Sequence, residues 1–271
     1  MKEIFETFKP QNPVVKKFVD YYYIDIKPTN ANTEFQCFPH FNNTISLYQS
    51  HIRLKNGAMK FVAGPARPFQ IFTPIRDKVL TVKQSGKVFR IVIVFHPLGV
   101  QQFYKNVNFS DYITDYAFFS PQELKDFFST TETTMLTGLL DSSLEKRFER
   151  FENMILEKSI QYIFNHHENF SVTAISCNIG VSRQHLNRVF QSHLGISVKK
   201  FHEIVVFRQS LNKKLFENPG RSFTKIAYDF NFSDQSHFNK TYKNLTANSP
   251  KSFFTKGIVL GKEDTFWHLK P

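Results

Sequence analysis

Two short stretches of this 271-residue chain carry side chains suited to reading a partner. In RQHLNRVFQ (183–191), Arg183, Gln184, His185, Asn187, Arg188 and Gln191 interleave with Leu186, Val189 and Phe190. In QSHFNKTYK (235–243), Gln235, Ser236, His237, Asn239, Lys240 and Lys243 interleave with Phe238, Thr241 and Tyr242. If the second set of each stretch packs inward at i, i+3 and i+4 of a helix, the first set must face out. Arginine matches the two acceptors on guanine, asparagine and glutamine match the donor–acceptor pair of adenine, and lysine holds phosphates. One such helix is as readily an ordinary solvated surface. Two argue for a reader of nucleic acid.

The two stretches belong to a repeat. VTAISCNIGVSRQHLNRVFQSHLGISVKKF (172–201) aligns with FTKIAYDFNFSDQSHFNKTYKNLTANSPKSF (223–253), with one extra residue entering at the start of the second copy's longer helix. Each copy reads as a helix, a tight turn and a longer helix. Gly180 allows the left-handed turn in the first copy, and Asn231, the next-best residue there, replaces it in the second. Ser182 is placed to cap the helix that follows. This is the helix-turn-helix pattern, whose second helix enters the major groove. Between the copies, 199–220 reads as one long helix with Ile204, Phe207, Leu211 and Leu215 on one face, stopped near Pro219-Gly220. Such a helix would set the separation of the two readers. The expected partner is double-stranded DNA with a bipartite site in successive major grooves, which recur about every 34 Å on one side of the duplex.

Charge follows the same division. Residues 1–158 hold 20 basic and 16 acidic residues, whereas 159–257 hold 13 and 5. The excess of +8 in the second segment favours a polyanion.

The first 130 residues read as strands: KVFRIVIVF (87–95) and TISLYQS (44–50), then short apolar pieces in 60–75 broken by Gly64, Pro65, Pro68 and Pro74. Residues 16–24 allow helix or strand, and 96–104 a turn into a short helix. The expected fold is α+β, with an N-terminal antiparallel barrel or sandwich carrying small helices, then an all-α C-terminal domain. SPQELKDFF (120–128) carries a capping box. Leu144, Phe148, Phe151, Ile155 and Ile163 form a stripe over 142–164, read as one long helix or two in tandem. TTETTMLTG (130–138) is the expected hinge. The resulting division is 1–135, a linker helix at 136–156, a DNA-binding domain at 157–257 and a tail at 258–271.

On IGVSRQHLNRVF followed by LGIS, and FTKIAYDFNFSDQSHFNKTYK followed by SPKSFF, residues 157–256 resemble the DNA-binding domain of AraC/XylS-type transcriptional regulators. FVDYYYI, FVAGPARPF and FHPLGVQQFY resemble, more loosely, the sensor region of one subgroup. The resemblance implies a cupin-like effector-binding or dimerisation domain, a homodimer, and contact with RNA polymerase. Departures from the family pattern fall at Ser176, Val198, Asn231 and Ala247.

Other classes find less support. Cys37 and Cys177 lack the spacing of a disulfide framework or zinc site, which with the charged N-terminus points to the cytoplasm. No stretch approaches the ~18 apolar residues of a membrane span. His40, His51 and His96 leave a metal-binding cupin-like enzyme conceivable, but without HxH spacing or a nearby carboxylate, so no cofactor, metal or catalytic residue is assigned. Phe35, Phe38, Phe41, Tyr48, Phe61 and Phe69 suit either an effector pocket or plain core. An architectural DNA-binder without ligand sensing is the remaining alternative.

Overall fold

The apolar run at 87–95 is the middle of a longer strand. In the computed structural model, which describes residues 3–54, 59–64, 67–113, 116–166 and 170–270, strand β7 (Leu80–Phe95) pairs antiparallel with strand β2 (Val19–Cys37) along nearly its whole length. Ile91, Ile93 and Phe95 are buried on one face, and Val92 and Val94 on the other. Burial on both faces is why this segment shows no polar alternation.

Strand β1 (Ile4–Phe8) flanks β2, and β3 (Asn43–Tyr48) lies between β7 and β6 (Phe69–Thr73). Strand β4 (His51–Leu54) pairs with β5 (Met59–Ala63), and β5 joins β7 in parallel. The sheet is therefore mixed, where an antiparallel one was expected. Register shifts at Val19/Tyr21 and Lys27/Ala31 bend β2 and curl the sheet. The ambiguous segment 16–24 splits into a 3-10 turn (Val15–Lys17) and the start of β2, and a second 3-10 turn covers Val100–Gln102. Pro65 lies outside the described residues.

Helix α1 (Pro121–Phe127) has the expected capping box. The Ser120 hydroxyl accepts from Glu123 N at 3.3 Å, and the Glu123 carboxylate accepts from Ser120 N at 2.8 Å. The expected hinge at 130–138 falls instead in helix α2 (Thr133–Glu145), which Glu132 caps and whose Leu136, Leu140 and Leu144 enter the core of the sheet. Of the two readings of 142–164, two helices in tandem is the one found, so residues 136–156 span the end of α2 and the start of α3 (Met154–Asn165). Asn153 restarts the helix by accepting from Leu156 N at 3.1 Å. Between the two, Gln102 grips the chain, donating to Phe151 O at 3.0 Å and accepting from Phe151 N at 3.1 Å. The expected stripe thus divides between cores, with Leu144 in one and Phe151, Ile155 and Ile163 in another.

Six helices follow: α4 (Val172–Ile179), α5 (Arg183–Leu194), α6 (Val198–Asn212), α7 (Phe223–Asp229), α8 (Gln235–Thr246) and α9 (Pro250–Lys256). The linking helix α6 ends in a π-helical turn (Lys213–Glu217) instead of running on to 220, and Leu215 is only partly buried. Strands β8 (Ile258–Val259) and β9 (Phe266–Lys270) then form a hairpin, and β9 pairs with Glu34–Cys37 of β2. The tail is thus an edge of the N-terminal sheet, not an appendage.

Both turns of the repeat have the expected left-handed residue, Gly180 at φ +76° and Asn231 at φ +53°. The longer helices also end left-handed, at Gly195 (φ +74°) and Ala247 (φ +57°). Alanine there costs about 1–2 kcal/mol relative to an unstrained conformation. Replacing Ala247 with Gly should stabilise the protein by about 1 kcal/mol and raise Tm by about 2–4 °C in calorimetry, after allowing for glycine's larger unfolded-state entropy. Gly195→Ala should do the reverse, because its Cβ would also fall 2.0 Å from Phe109 O.

Candidate nucleic-acid interface

Helices α5 and α8 are each twelve residues long. Leu186, Phe190 and Leu194 are buried in α5, and Phe238, Thr241, Tyr242 and Leu245 in α8. Ser182 caps α5 by accepting from His185 N at 3.1 Å. In α8 that role passes to Asp234, which accepts from His237 N at 2.7 Å. The extra residue of the second copy is therefore Ser233, in the turn ahead of the cap, and the helices align residue for residue.

Helix α6 seats both. Phe201 packs on Phe190 with ring centroids 5.7 Å apart, and Phe207 on Tyr242 at 5.1 Å. Ser210 Oγ and the Tyr242 hydroxyl share a 2.8 Å hydrogen bond. Burial raises the Tyr242 pKa well above its usual value, so this hydroxyl stays neutral.

All six expected residues of α8 are exposed. In α5, Arg183, Gln184, Arg188 and Gln191 are exposed, whereas His185 and Asn187 are half-buried. Helical geometry lines up Gln184, Arg188 and Gln191 opposite the buried face, as it does Ser236, Lys240 and Lys243. Ser192 and Asn244 are exposed on the same two stripes and were missed. Their signal was position, four residues beyond Arg188 and Lys240. Neither helix contains an acidic residue.

Asn187 and Gln191 hold backbone groups of neighbouring residues. Asn187 Oδ1 accepts from Val198 N at 3.3 Å, fastening α5 to the start of α6. Gln191, with its amide oriented to suit its neighbours, donates to Gly195 O at 3.3 Å and accepts from Ser197 N at 3.1 Å. Looser contacts join Arg188 Nη2 to His185 Nδ1 at 3.4 Å and Thr224 to Gln235 at 3.3 Å.

In the N-terminal half, Phe35, Phe38, Tyr48 and Phe61 line a cavity of about 100 Å³. Phe69 instead packs beside Tyr48, and Phe41 faces a separate groove. Arg90 is paired with Asp25 at 2.9 Å and ringed by Tyr23, Phe35, Tyr48 and Trp267. His40 bonds Asp264 at 2.6 Å, His96 stands 3.9 Å from Asp20, and His51 packs beside Tyr48 with ring centroids 5.4 Å apart. Among the described residues, no group of three or more His, Cys, Asp or Glu could hold a metal, and no helix is long and apolar enough to cross a membrane. Burial pushes the Cys37 thiol pKa up, the opposite of what a nucleophile needs.

Residues 175–256 match the family described as "Helix-turn-helix domain". The chain is 32% identical over 82 residues to the Msm operon regulatory protein of Streptococcus mutans, and 31% identical over 80 residues to the HTH-type transcriptional regulator GlxA of Rhizobium meliloti. Each match covers 30% of this chain, and 29% and 24% of the respective relatives. A structure of ToxT from Vibrio cholerae is similar over 86% of this chain and 97% of its own, with a TM-score of 0.50 and 12% identity, a likeness of fold. The C-terminal helices thus match a helix-turn-helix domain over residues 175–256 and follow a β-rich half, in an α+β fold like that of ToxT.

Asn187→Ala and Gln191→Ala should each lower stability by about 1 kcal/mol in denaturant melts, because each leaves a backbone group unpaired. Gln184→Ala, on the free part of the stripe, should stay within about 0.5 kcal/mol of the parent.

Proposed function

We propose that this helix-turn-helix chain is a sequence-specific DNA-binding transcriptional regulator of the AraC type. The observation that carries the reading is the duplicated stripe: Gln184, Arg188 and Ser192 on α5, and Ser236, Lys240, Lys243 and Asn244 on α8. Both stripes are exposed and free of acidic residues, on capped helices seated against one linking helix. Arg183, His185, Gln235, His237 and Asn239 flank them. Asn187 and Gln191 act mainly by holding α5 in place.

Because α6 contacts both readers, they approach double-stranded DNA together, at a bipartite site in successive major grooves. The cavity of the β-rich half supplies a place for a small effector. Cytoplasmic location, a homodimeric state and contact with RNA polymerase complete the proposal and rest on the resemblance to AraC-type regulators. An architectural role is the second reading. The Arg and amide side chains favour sequence readout over it, since backbone binding alone would need only cations.

An operator selected from random DNA supplies the test, with affinity measured by fluorescence anisotropy at fixed salt. Arg188→Ala should weaken binding about 10- to 100-fold and relax preference at one base pair. Lys240→Ala should weaken all sequences more evenly and reduce the salt slope by about one. Unchanged affinity in both variants would sink this assignment, and failure to enrich any sequence would favour the architectural reading.

A further inference from the structure

The C-terminal hairpin sits between the two halves of the molecule. Side chains of a strand alternate, and those of β9 divide accordingly. Phe266 and His268 face the helices: Phe266 packs on Phe253 with centroids 5.0 Å apart, and His268 Nε2 donates to Phe253 O at 2.8 Å. Trp267 faces the sheet, where it stacks on Phe35 at 4.4 Å and 11° and stands 5.5 Å from the Arg90 guanidinium. Just ahead of the strand, Asp264 and Thr265 enter the same cavity.

Asp264 meets groups from three elements. His40 Nδ1 accepts from Asn42 N at 3.0 Å, so its other nitrogen, Nε2, carries a proton and donates to Asp264 at 2.6 Å. The Tyr21 hydroxyl donates to Asp264 at 3.3 Å, and Arg208 Nη1 lies 3.9 Å away. Burial alone would raise the Asp264 pKa, but these partners hold it well below the usual carboxylate range. The His40 pKa is lowered by burial and by Arg208, with Asp264 opposing, so the contact works with a neutral imidazole.

Two buried arginines also line the cavity. Arg90 and Arg208 are more than nine-tenths buried, and Arg90 Nε and Arg208 Nη1 lack a hydrogen-bond partner among the described residues. Its volume of about 100 Å³ holds only a few water-sized groups. Anything larger needs the space and contacts of Trp267 and Asp264.

We propose that the C-terminal hairpin is a tethered competitor for this cavity: a ligand enters as Asp264 and Trp267 leave, and their departure unhooks Phe266 and His268 from the second helix-turn-helix unit. Ligand entry and loss of the hairpin's hold on α9 are then one event, leaving Phe38 packed on Phe253 as a remaining contact. This accounts for effector control under the function proposed above and rests on that reading. The hairpin lies at the edge of the sheet and pairs with β2 over four residues, while its loop bonds Thr7 Oγ1 through Lys262 N at 2.8 Å and Lys9 through Glu263 at 2.8 Å. Its exchange requires no other strand to break.

The test uses the full-length chain and 1-anilinonaphthalene-8-sulfonate, a probe with the flat rings and acidic group that Trp267 and Asp264 bring. Asp264→Asn/Trp267→Ala should bind one equivalent at least tenfold more tightly than the parent, and equal binding overturns the proposal. A tether then separates hairpin release from general loosening. Glu34 and Lys270 are direct cross-strand partners, a spacing that a disulfide spans. Glu34→Cys/Lys270→Cys is added to that variant with Cys37→Ser and Cys177→Ser. The reduced form should bind the probe at least tenfold more tightly than the oxidised form, and equal binding also overturns the proposal. Operator affinity of the untethered parent tests the regulatory reading separately, because its loss leaves the probe result intact.

Discussion

The fold turns on one buried arginine. Arg208, on the helix that seats both reading helices, donates from Nε to Pro39 O at 2.6 Å and from Nη2 to Phe38 O at 3.0 Å. Those carbonyls lie just beyond β2, the central long strand of the N-terminal sheet. The remaining nitrogen, Nη1, faces Asp264 of the C-terminal hairpin. Burial lowers the Arg208 pKa from its usual high value, yet arginine stays charged and offers five donors in a rigid fork. A lysine would bring one point charge and could not span the two carbonyls and the carboxylate in the same geometry. A neutral side chain would leave two buried carbonyls without donors, each a cost of about 1–3 kcal/mol.

With that junction in place, the halves share their cores. Phe38 packs in the cluster of Phe207, Tyr242 and Phe253, and Ile75 and Leu98 pack in the cluster of Leu186, Phe190 and Phe201. Each helix-turn-helix unit also has its own attachment to the sheet. The first is held where Gln101 donates to His193 O at 2.8 Å and Gly195 crosses Phe109. The second is held through the hairpin and Phe38. The β-rich half therefore braces both units, in addition to the brace that α6 provides.

The repeat was legible in the sequence because its determinants are local. Gly180 and Asn231 for the turns, Ser182 for a cap, and apolar residues at i, i+3 and i+4 all act within a dozen residues. The capping box at Ser120 was legible for the same reason. The break between α2 and α3 was less legible because the apolar stripe of 142–164 keeps helical phase across it, and Asn153 and the distant Gln102 set it. Asn187 and Gln191 carried the right chemistry, but their partners, Val198, Gly195 and Ser197, belong to the next turn. Arg208 drew no attention as one basic residue in a basic segment, since its partners are about 170 residues away in sequence. The return of β9 to β2 had no local signature either, because strand pairing between chain ends leaves only a short alternation in TFWHLK.

The two units of the repeat are not equally secure. The first turns at Gly180 and ends its reading helix at Gly195, both of which adopt positive φ at little cost. The second uses Asn231, which accepts this conformation at a small penalty, and Ala247, for which it costs about 1–2 kcal/mol. Its attachment also differs in kind. Phe109 and Gln101, which hold the first unit, lie within the N-terminal half, whereas the second is tied through Phe38 and a hairpin of two short strands at the sheet edge. Local stability follows such differences, with strained positions and short edge strands opening at lower free energy than well-packed interior segments. The strained helix end at Ala247 and the edge-hairpin attachment both fall on the second unit. Of the two readers, α8 is therefore the one whose position relative to the sheet is easiest to change.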